Sequence, residues 1–179
     1  MVDVRPARPG ELESVERELV ACLDERYGPP PWCESPEENA REGARLVEAG
    51  ALPGAVTALA LDGRRLVGFA QVRPGELFAA DLRAADPVIA LAWPAPLAEL
   101  HQLLVSASVG GRGVGSRLHD TVMDPVRVPA LLITHPDATT ALRLYARRGW
   151  TTLATTSFGP SNPRVVLGRR PAPAADAPV

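Results

Sequence analysis

Four glycines and two arginines lie between an apolar run and a predicted helix in the stretch 105-VSASVGGRGVGSRLHD-120. Alternate glycines let the backbone turn sharply and approach an anion without a clash from a Cβ atom. The first N–H groups of the next helix lack partners within the helix and lie at the positive end of its dipole. The stretch is therefore typical of a loop that holds phosphate with its backbone, and Arg112 and Arg117 add charge suited to a terminal phosphate.

Two common phosphate loops do not fit this stretch. In a Walker loop, Gly110 and Gly115 would have the right spacing, but Ser116 stands where the lysine must be, and all 19 cationic side chains are Arg. In a dinucleotide fingerprint, Gly113 would be in place, but Ser116 replaces the third glycine. What remains is a backbone cradle for pyrophosphate, formed by Gly110, Gly111, Arg112, Gly113, Val114, Gly115 and Ser116.

A second segment, 141-ALRLYARRGW-150, follows about thirty residues later. The two segments together resemble the GCN5-related N-acetyltransferases. The acetyl-CoA motif of that family, Gln/Arg-x-x-Gly-x-Gly/Ala, aligns with residues 110–115, and its signature Ala-x-x-Leu-Tyr-x-x-x-Gly-Phe/Trp aligns with residues 141–150. The sequence departs at Gly110, where the family has Gln or Arg, and at Ala138, where it often has Asn. The resemblance implies acetyl-CoA as co-substrate and no metal.

The resemblance also implies catalytic residues. Tyr145 matches the usual general acid near the sulfur of the departing CoA, and Glu99 matches the carboxylate that accepts the amine proton directly or through water. If residues 98–107 form a strand, Glu99 and His101 share one face and line the acceptor cleft together. A solvated Glu99 and a hydrogen-bonded core His101 are the structural alternatives.

In that family the same strand also binds the thioester. We expect it to separate from its neighbour beyond Leu103, so that N–H and C=O groups of Leu104 and Val105 are free to pair with the pantetheine amides and to polarise the thioester carbonyl. Trp32, in a proline-rich connector, is expected to form a wall of the acceptor cleft or else to cap the core. Trp93 and residues 74–97 are further candidates for selectivity.

The predicted elements that position these residues alternate in type. A strand at 2–7 precedes two helices, the second capped by Ser35, and Asp62-Gly63 predicts a hairpin within 56–72. Then come, in order, a strand, a helix, a strand at 130–134, a helix at 138–149 and a closing hairpin. This order predicts an α/β fold with a mixed sheet, and the resemblance implies the acyl-CoA N-acyltransferase fold with six to seven strands.

Composition narrows the functional classes. The formal charge of −2 gives no basic field for nucleic acid or a membrane surface, and no run is apolar enough to span a bilayer. Two cysteines and three histidines are scattered without metal-ligand spacing. We expect a soluble cytoplasmic protein with one domain over residues 1–170 and a disordered tail at 171–179. Homodimers are common in the family, but no exposed apolar seam in the sequence indicates one.

The expected function is transfer of an acetyl group from acetyl-CoA to a primary amine of a small molecule or peptide, by direct attack in a ternary complex. The alternatives are a non-catalytic acyl-CoA-binding module and an enzyme of this fold recruited to other chemistry. The sequence leaves the identity of the amine open.

Overall fold

A computed structural model of the chain describes residues 1–75, 92–157 and 163–171. Three expected features fall mostly on residues outside these ranges. They are the variable loop at 74–97, the turn of the last hairpin and the tail at 171–179. The elements run in the order β1 (Val2–Pro6), α1 (Glu11–Tyr27), α2 (Pro36–Gly50), β2 (Val56–Asp62), β3 (Arg65–Pro74), β4 (Ala98–Val105), α3 (Val114–Met123), β5 (Ala130–Thr134), α4 (Thr139–Arg147), β6 (Thr151–Ser157) and β7 (Pro163–Arg169).

Local signals in the sequence place the element ends. The side chain of Ser35 accepts a hydrogen bond from the backbone N–H of Glu38, and the side chain of Glu38 accepts one from Ser35, which completes the capping box that begins α2. Gly63 adopts φ +63° in the turn of the β2–β3 hairpin, where a left-handed residue is needed. The predicted helix start and hairpin are both confirmed.

The seven strands form one mixed sheet in the order β1-β2-β3-β4-β5-β7-β6. All of the strand pairs are antiparallel except β4 with β5, which are parallel. This architecture confirms the predicted fold class, and the strand count is the upper of the two expected. The parallel pair lies in the middle of the sheet, next to the crossover through α3.

Among the residues that the structure describes, two α-helices pack on each face of the sheet. Leucines of α1 and α2, among them Leu19, Leu23 and Leu46, pack on Phe69 and Leu104. On the other face, α3 and α4 cover the sheet through side chains that include Leu118 and Tyr145. The sheet therefore separates two apolar layers, and a side chain on β4 reaches one helix pair or the other. No helix in the described part of the chain is both long and apolar enough to cross a bilayer.

A chain of hydrogen bonds, buried at Trp150 and His119 and exposed at Asp120, joins α3 to the segment between α4 and β6. The indole N–H of Trp150 donates to Nε2 of His119 at 2.9 Å, and Nδ1 of His119 lies 2.9 Å from Oδ1 of Asp120. Asp120 in turn accepts two hydrogen bonds from the guanidinium of Arg148, at 2.7 and 2.8 Å. Since Trp150 donates to Nε2, that nitrogen must be unprotonated, and the neutral imidazole donates its only proton to Asp120.

We expect the free energy of unfolding to depend on pH because of the buried His119 in these hydrogen bonds. Burial lowers the pKa of His119 below its ordinary 6.5, against the opposing effect of Asp120. The unfolded chain therefore binds this proton at a higher pH than the native protein does, so that stability is lost as the pH falls from the ordinary pKa through the lowered one. The free energy of unfolding of the wild type minus that of His119→Gln should stay constant above about pH 7.5 and decline below about pH 6.5.

Urea unfolding of both proteins between about pH 8 and pH 5 measures this difference, because the other titrating groups are common to both proteins. A difference that stays flat over the whole range would contradict the prediction.

Candidate active site

The glycine loop between β4 and α3 has the backbone that an anion cradle needs. Gly111 and Gly113 both adopt φ +73°, and a Cβ atom at either position would meet nothing within 4 Å. Gly113 is the N-cap of α3 and makes no side-chain capping bond. The first N–H groups of α3, those of Val114, Gly115 and Ser116, thus lack both intrahelical partners and a side-chain cap. The loop fits a pyrophosphate group held by backbone donors.

The two loop arginines differ in their surroundings. The guanidinium of Arg117 donates to the carbonyl oxygen of Val2 at 3.1 Å, so this side chain fastens α3 to β1. Arg112 is exposed and makes no ion pair or hydrogen bond with any residue that the structure describes. Of the two cations expected to reach a phosphate, Arg112 is the one without a structural partner.

β4 and β5 are paired only at the first two residues of each strand. Their pairing consists of Ala98 with Ala130 and Glu99 with Leu131. The strands therefore part after Glu99, four residues before the position expected from the sequence. The gap opens beside the remainder of β4 and leads towards the glycine loop.

The register of β4 on β3 decides which of its backbone groups face this gap. The N–H of Ser106 donates to the carbonyl of Val67 at 2.9 Å, and Ser106 follows directly on the antiparallel ladder. Backbone groups alternate in direction along such a strand, so those of Leu104 face β3 and those of Leu103 and Val105 face the gap. From the sequence, the backbone groups of both Leu104 and Val105 are expected to be free for pantetheine. This is wrong for Leu104, whose groups pair with β3, and it remains a prediction for Val105.

The extra residue of β4 in its pairing with β3 is His101. Gln71 pairs with Gln102 and Val72 with Leu100, which leaves His101 as a bulge. A bulge turns two successive side chains to the same side of the strand. His101 accordingly reaches Glu42 on α2, and Gln102 reaches Tyr27 on α1, where the phenol donates to Oε1 of Gln102 at 2.6 Å.

A chain of alternating charges runs through His101. Nδ1 of His101 lies 3.3 Å from Oε1 of Glu99, and the other oxygen of Glu99 accepts from Nε of Arg73 at 2.8 Å. On the opposite side, Nε2 of His101 lies 3.3 Å from Oε1 of Glu42, without the alignment of a hydrogen bond. His101 is thus held between two carboxylates, and one of its nitrogens has no fixed hydrogen-bond partner among the described residues.

The pKa values within this chain follow from those contacts. Burial alone would lower the pKa of His101, but the contacts with Glu42 and Glu99 outweigh it and raise that pKa above its ordinary value. Burial would raise the pKa of Glu99, but His101 and Arg73 together lower it. The contact with His101 lowers the pKa of Glu42 despite its burial. An imidazole held in this way is suited to exchanging protons near neutral pH.

Tyr145 comes from the opposite face of the sheet. Its ring is only 6% exposed and packs edge-on against Trp150, with centroids 6.0 Å apart. Burial raises the pKa of Tyr145, so the hydroxyl remains protonated at neutral pH. Burial also raises the pKa of Tyr27.

An open cleft of about 420 Å³ lies between α1, α2 and the β4–β5 region, a size usual for a small-molecule site. Its lining includes Tyr27, Trp32, Cys33, Glu34, Glu38, Glu42, Arg45, His101, Gln102, Ile133 and Arg164. Glu99 is absent from this lining, because it lies behind His101. The cleft therefore presents the imidazole and not the Glu99 carboxylate to a molecule inside it.

The two candidate tryptophans have different positions. Trp32 lines the cleft, with Arg164 over its ring at 4.8 Å and with Tyr27 and His135 against its edges. Trp93 is 7% exposed and packs with Leu97, Leu131 and Val166. The expectation that Trp93 contributes to selectivity is wrong, because its indole belongs to the core.

Comparison with known proteins agrees with this architecture. The acetyltransferase (GNAT) family matches residues 17–150, which include both sequence motifs and the whole of the bulged strand. The chain belongs to the acetyltransferase (GNAT) family. No curated protein sequence matches it.

Solved structures share the fold over nearly the whole chain. A Pyrococcus horikoshii OT3 protein has a TM-score of 0.70 at 14% identity, covering 96% of this chain and 99% of its own. An aminoglycoside 6′-acetyltransferase of type Ii has a TM-score of 0.67 at 19% identity, with coverage of 96% and 99%. PaiA N-acetyltransferase from Thermoplasma acidophilum, solved in complex with coenzyme A, has a TM-score of 0.58 at 14% identity, with coverage of 95% and 99%.

Sequence reasoning did not find Glu42, Arg73 or Tyr27. Glu38, Glu42 and Arg45 recur along α2 at helical spacing, and this polar stripe is the only local signal that one face of α2 borders a polar space. The partners on β3 and β4 lie 26 or more positions away along the chain, and no spacing rule connects them.

The charged neighbours of His101 allow a prediction about the pKa of its imidazole. Glu42→Gln removes a carboxylate that favours the charged form and should lower the pKa of His101, whereas Arg73→Gln removes a cation that disfavours this form and should raise it. Imidazole titration followed by NMR measures both shifts. Glu48→Gln, on the exposed side of α2, is the matched control and should leave the pKa of His101 where it is. Shifts of the same sign in both variants would contradict the arrangement.

Proposed function

We propose that this protein transfers the acetyl group of acetyl-CoA to a primary amine of a small molecule or peptide. The observation that carries the proposal is the gap between β4 and β5. At one end it meets the glycine loop, and His101 and Tyr145 lie on opposite faces of the sheet. The family membership and the fold shared with a coenzyme A complex support it.

The binding of acetyl-CoA would depend mainly on backbone. The cradle from Gly110 to Ser116 would hold the pyrophosphate, with Arg112 adding positive charge. The gap-facing groups of Leu103 and Val105 would pair with the pantetheine arm and the thioester carbonyl. The N–H of Leu103 donates to Oε1 of Gln102 at 3.2 Å, so the thioester oxygen would take the place of that amide oxygen.

The reaction itself needs proton transfers at the amine and at the sulfur. Nε2 of His101 is buried against Glu42, so the ammonium group of the acceptor gives its proton to the Glu42 carboxylate, which lines the cleft and passes the proton to Nε2. Glu99 stabilises the imidazolium through Nδ1. The neutral nitrogen then forms a bond to the thioester carbon, with the developing oxyanion at the N–H of Leu103. When the C–S bond breaks, the sulfur keeps the electron pair and takes a proton from Tyr145, and the second proton that the new amide nitrogen loses returns the phenol to its neutral form. In this proposal Glu99 is a positioning residue and acts through His101.

A thiol-release assay with acetyl-CoA across a library of primary amines tests the function. Release that depends on an amine, with an acetylated product of matching mass, is the expected result. Binding of acetyl-CoA without release for any amine would favour a non-catalytic acyl-CoA-binding module.

The cradle can be tested separately from the chemistry. Gly113→Ala should raise the Kd for CoA about fivefold or more, because Cβ strains a left-handed backbone and intrudes where the anion would lie. Gly63→Ala is the control, since Gly63 has φ +63° and also has nothing within 4 Å of an added Cβ. Calorimetric titration with CoA compares the two. Equal loss of affinity in both variants would mean that strain alone, and not the cradle, is responsible.

Tyr145→Phe should lower kcat about tenfold or more and leave the Kd for CoA within about twofold, since only a donor to the leaving sulfur is lost. The ring packing against Trp150 is kept in this variant. An unchanged kcat would exclude Tyr145 as the proton donor.

A further inference from the structure

Three carboxylates line the cleft, those of Glu34, Glu38 and Glu42. Two of them are already engaged. Glu42 lies 3.3 Å from His101 and 3.6 Å from Arg45, and Glu38 accepts the backbone N–H of Ser35 at 2.7 Å in the capping box. Glu34 makes no ion pair and no side-chain hydrogen bond with the residues that the structure describes.

The surroundings of Glu34 disfavour its charge. Burial raises the pKa of this carboxyl, and the charges of Glu42 and Glu38 raise it further, while the more weakly acting Arg164 opposes them. A carboxylate that is kept in such a place without a cation weakens the free protein. A bound ammonium group would remove the repulsion and supply hydrogen-bond donors that no neighbouring side chain provides.

Arg164, the cation whose charge acts on Glu34, makes its own contacts elsewhere. The guanidinium of Arg164 lies over the Trp32 ring at 4.8 Å and donates to the carbonyl of Pro163 at 3.1 Å. The same stacking occupies a face of the Trp32 ring, so a ligand cation meets carboxylate oxygens more readily than that aromatic face. The unmatched charge of the cleft is therefore negative, and it is located at Glu34.

Resting on the proposed function, we propose that the acceptor is a dication, with its reacting amine beside His101 and a second ammonium group bound by Glu34. Glu34 is then the residue that determines specificity. Glu42 lies between the two ends, since it contacts His101 and also acts electrostatically on Glu34. The product keeps its second ammonium group, because only the amine at the thioester loses a proton and gains the acetyl group.

Alkyl chains of three to six carbons test this proposal. At each length the reacting amine is the same and the other terminus is an ammonium, a methyl or a carboxylate group, as in diamines, monoamines and ω-amino acids. We expect kcat/KM at the best length to be at least about tenfold higher for the diamine than for the monoamine, and lowest for the amino acid. Glu34→Gln should reduce the preference for the diamine about tenfold and leave the rate with the monoamine within about twofold.

Glu37→Gln is the matched control, since it removes the same charge from an exposed position at the start of α2 and should keep the preference. Equal rates for diamine and monoamine, or an undiminished preference in Glu34→Gln, would overturn the second-cation site. The highest rate for the amino acid would overturn it in favour of carboxylate binding by Arg164. In each of these cases acetyl transfer itself still stands. Absence of thiol release with this series and with the wider amine library would instead overturn the proposed function.

Discussion

β4 and β5 are the only parallel neighbours among the described strands, and they stay paired for only two residues. Parallel strands need a crossover, and here the crossover contains the glycine loop and α3. Where the strands part, the backbone of β4 is left with donors and acceptors on one side. The glycine loop that we propose as a phosphate cradle and the gap-facing groups of Leu103 and Val105 both depend on this one interruption of the sheet.

The bulge at His101 adds a second constraint. A regular strand would alternate His101 and Gln102 between the two faces, and one of them would point into the layer below α3 and α4. The bulge turns both towards α1 and α2, where Glu42 and Tyr27 meet them. In the proposed reaction, the acceptor is therefore bound on one face of the sheet, and the proton donor for the sulfur, Tyr145, lies on the other.

Most of the fold could be predicted from local patterns in the sequence. The capping box at Ser35, the Asp62-Gly63 hairpin and the apolar strand at 130–134 each depend on neighbours along the chain, so they could be found without coordinates. The face on which Glu99 and His101 meet could be found as well. The bulge could not, since it is a property of the register between β3 and β4. That register also decides that the backbone groups of Leu104 face β3 and those of Leu103 face the gap.

The charge partners are the other part that sequence did not reveal. Glu42 and Arg73 act on His101 and Glu99 from separate elements, and the pairing exists only once α2 has packed across the sheet. The same holds for Trp93, whose proline-rich surroundings are typical of a loop but whose ring packs on Leu131 of β5 and Val166 of β7. In both cases long-range packing decides a role for which nearby residues give no signal.

The polar chain from Trp150 through His119 and Asp120 to Arg148 braces α3 against α4. The helix proposed to receive the pyrophosphate and the helix that presents Tyr145 are therefore joined by direct hydrogen bonds, and in the proposed reaction this connection would fix the distance between the two ends of the acyl donor. Side chains on α1 and α2 take no part in this connection, so they could change with the acceptor and leave it intact.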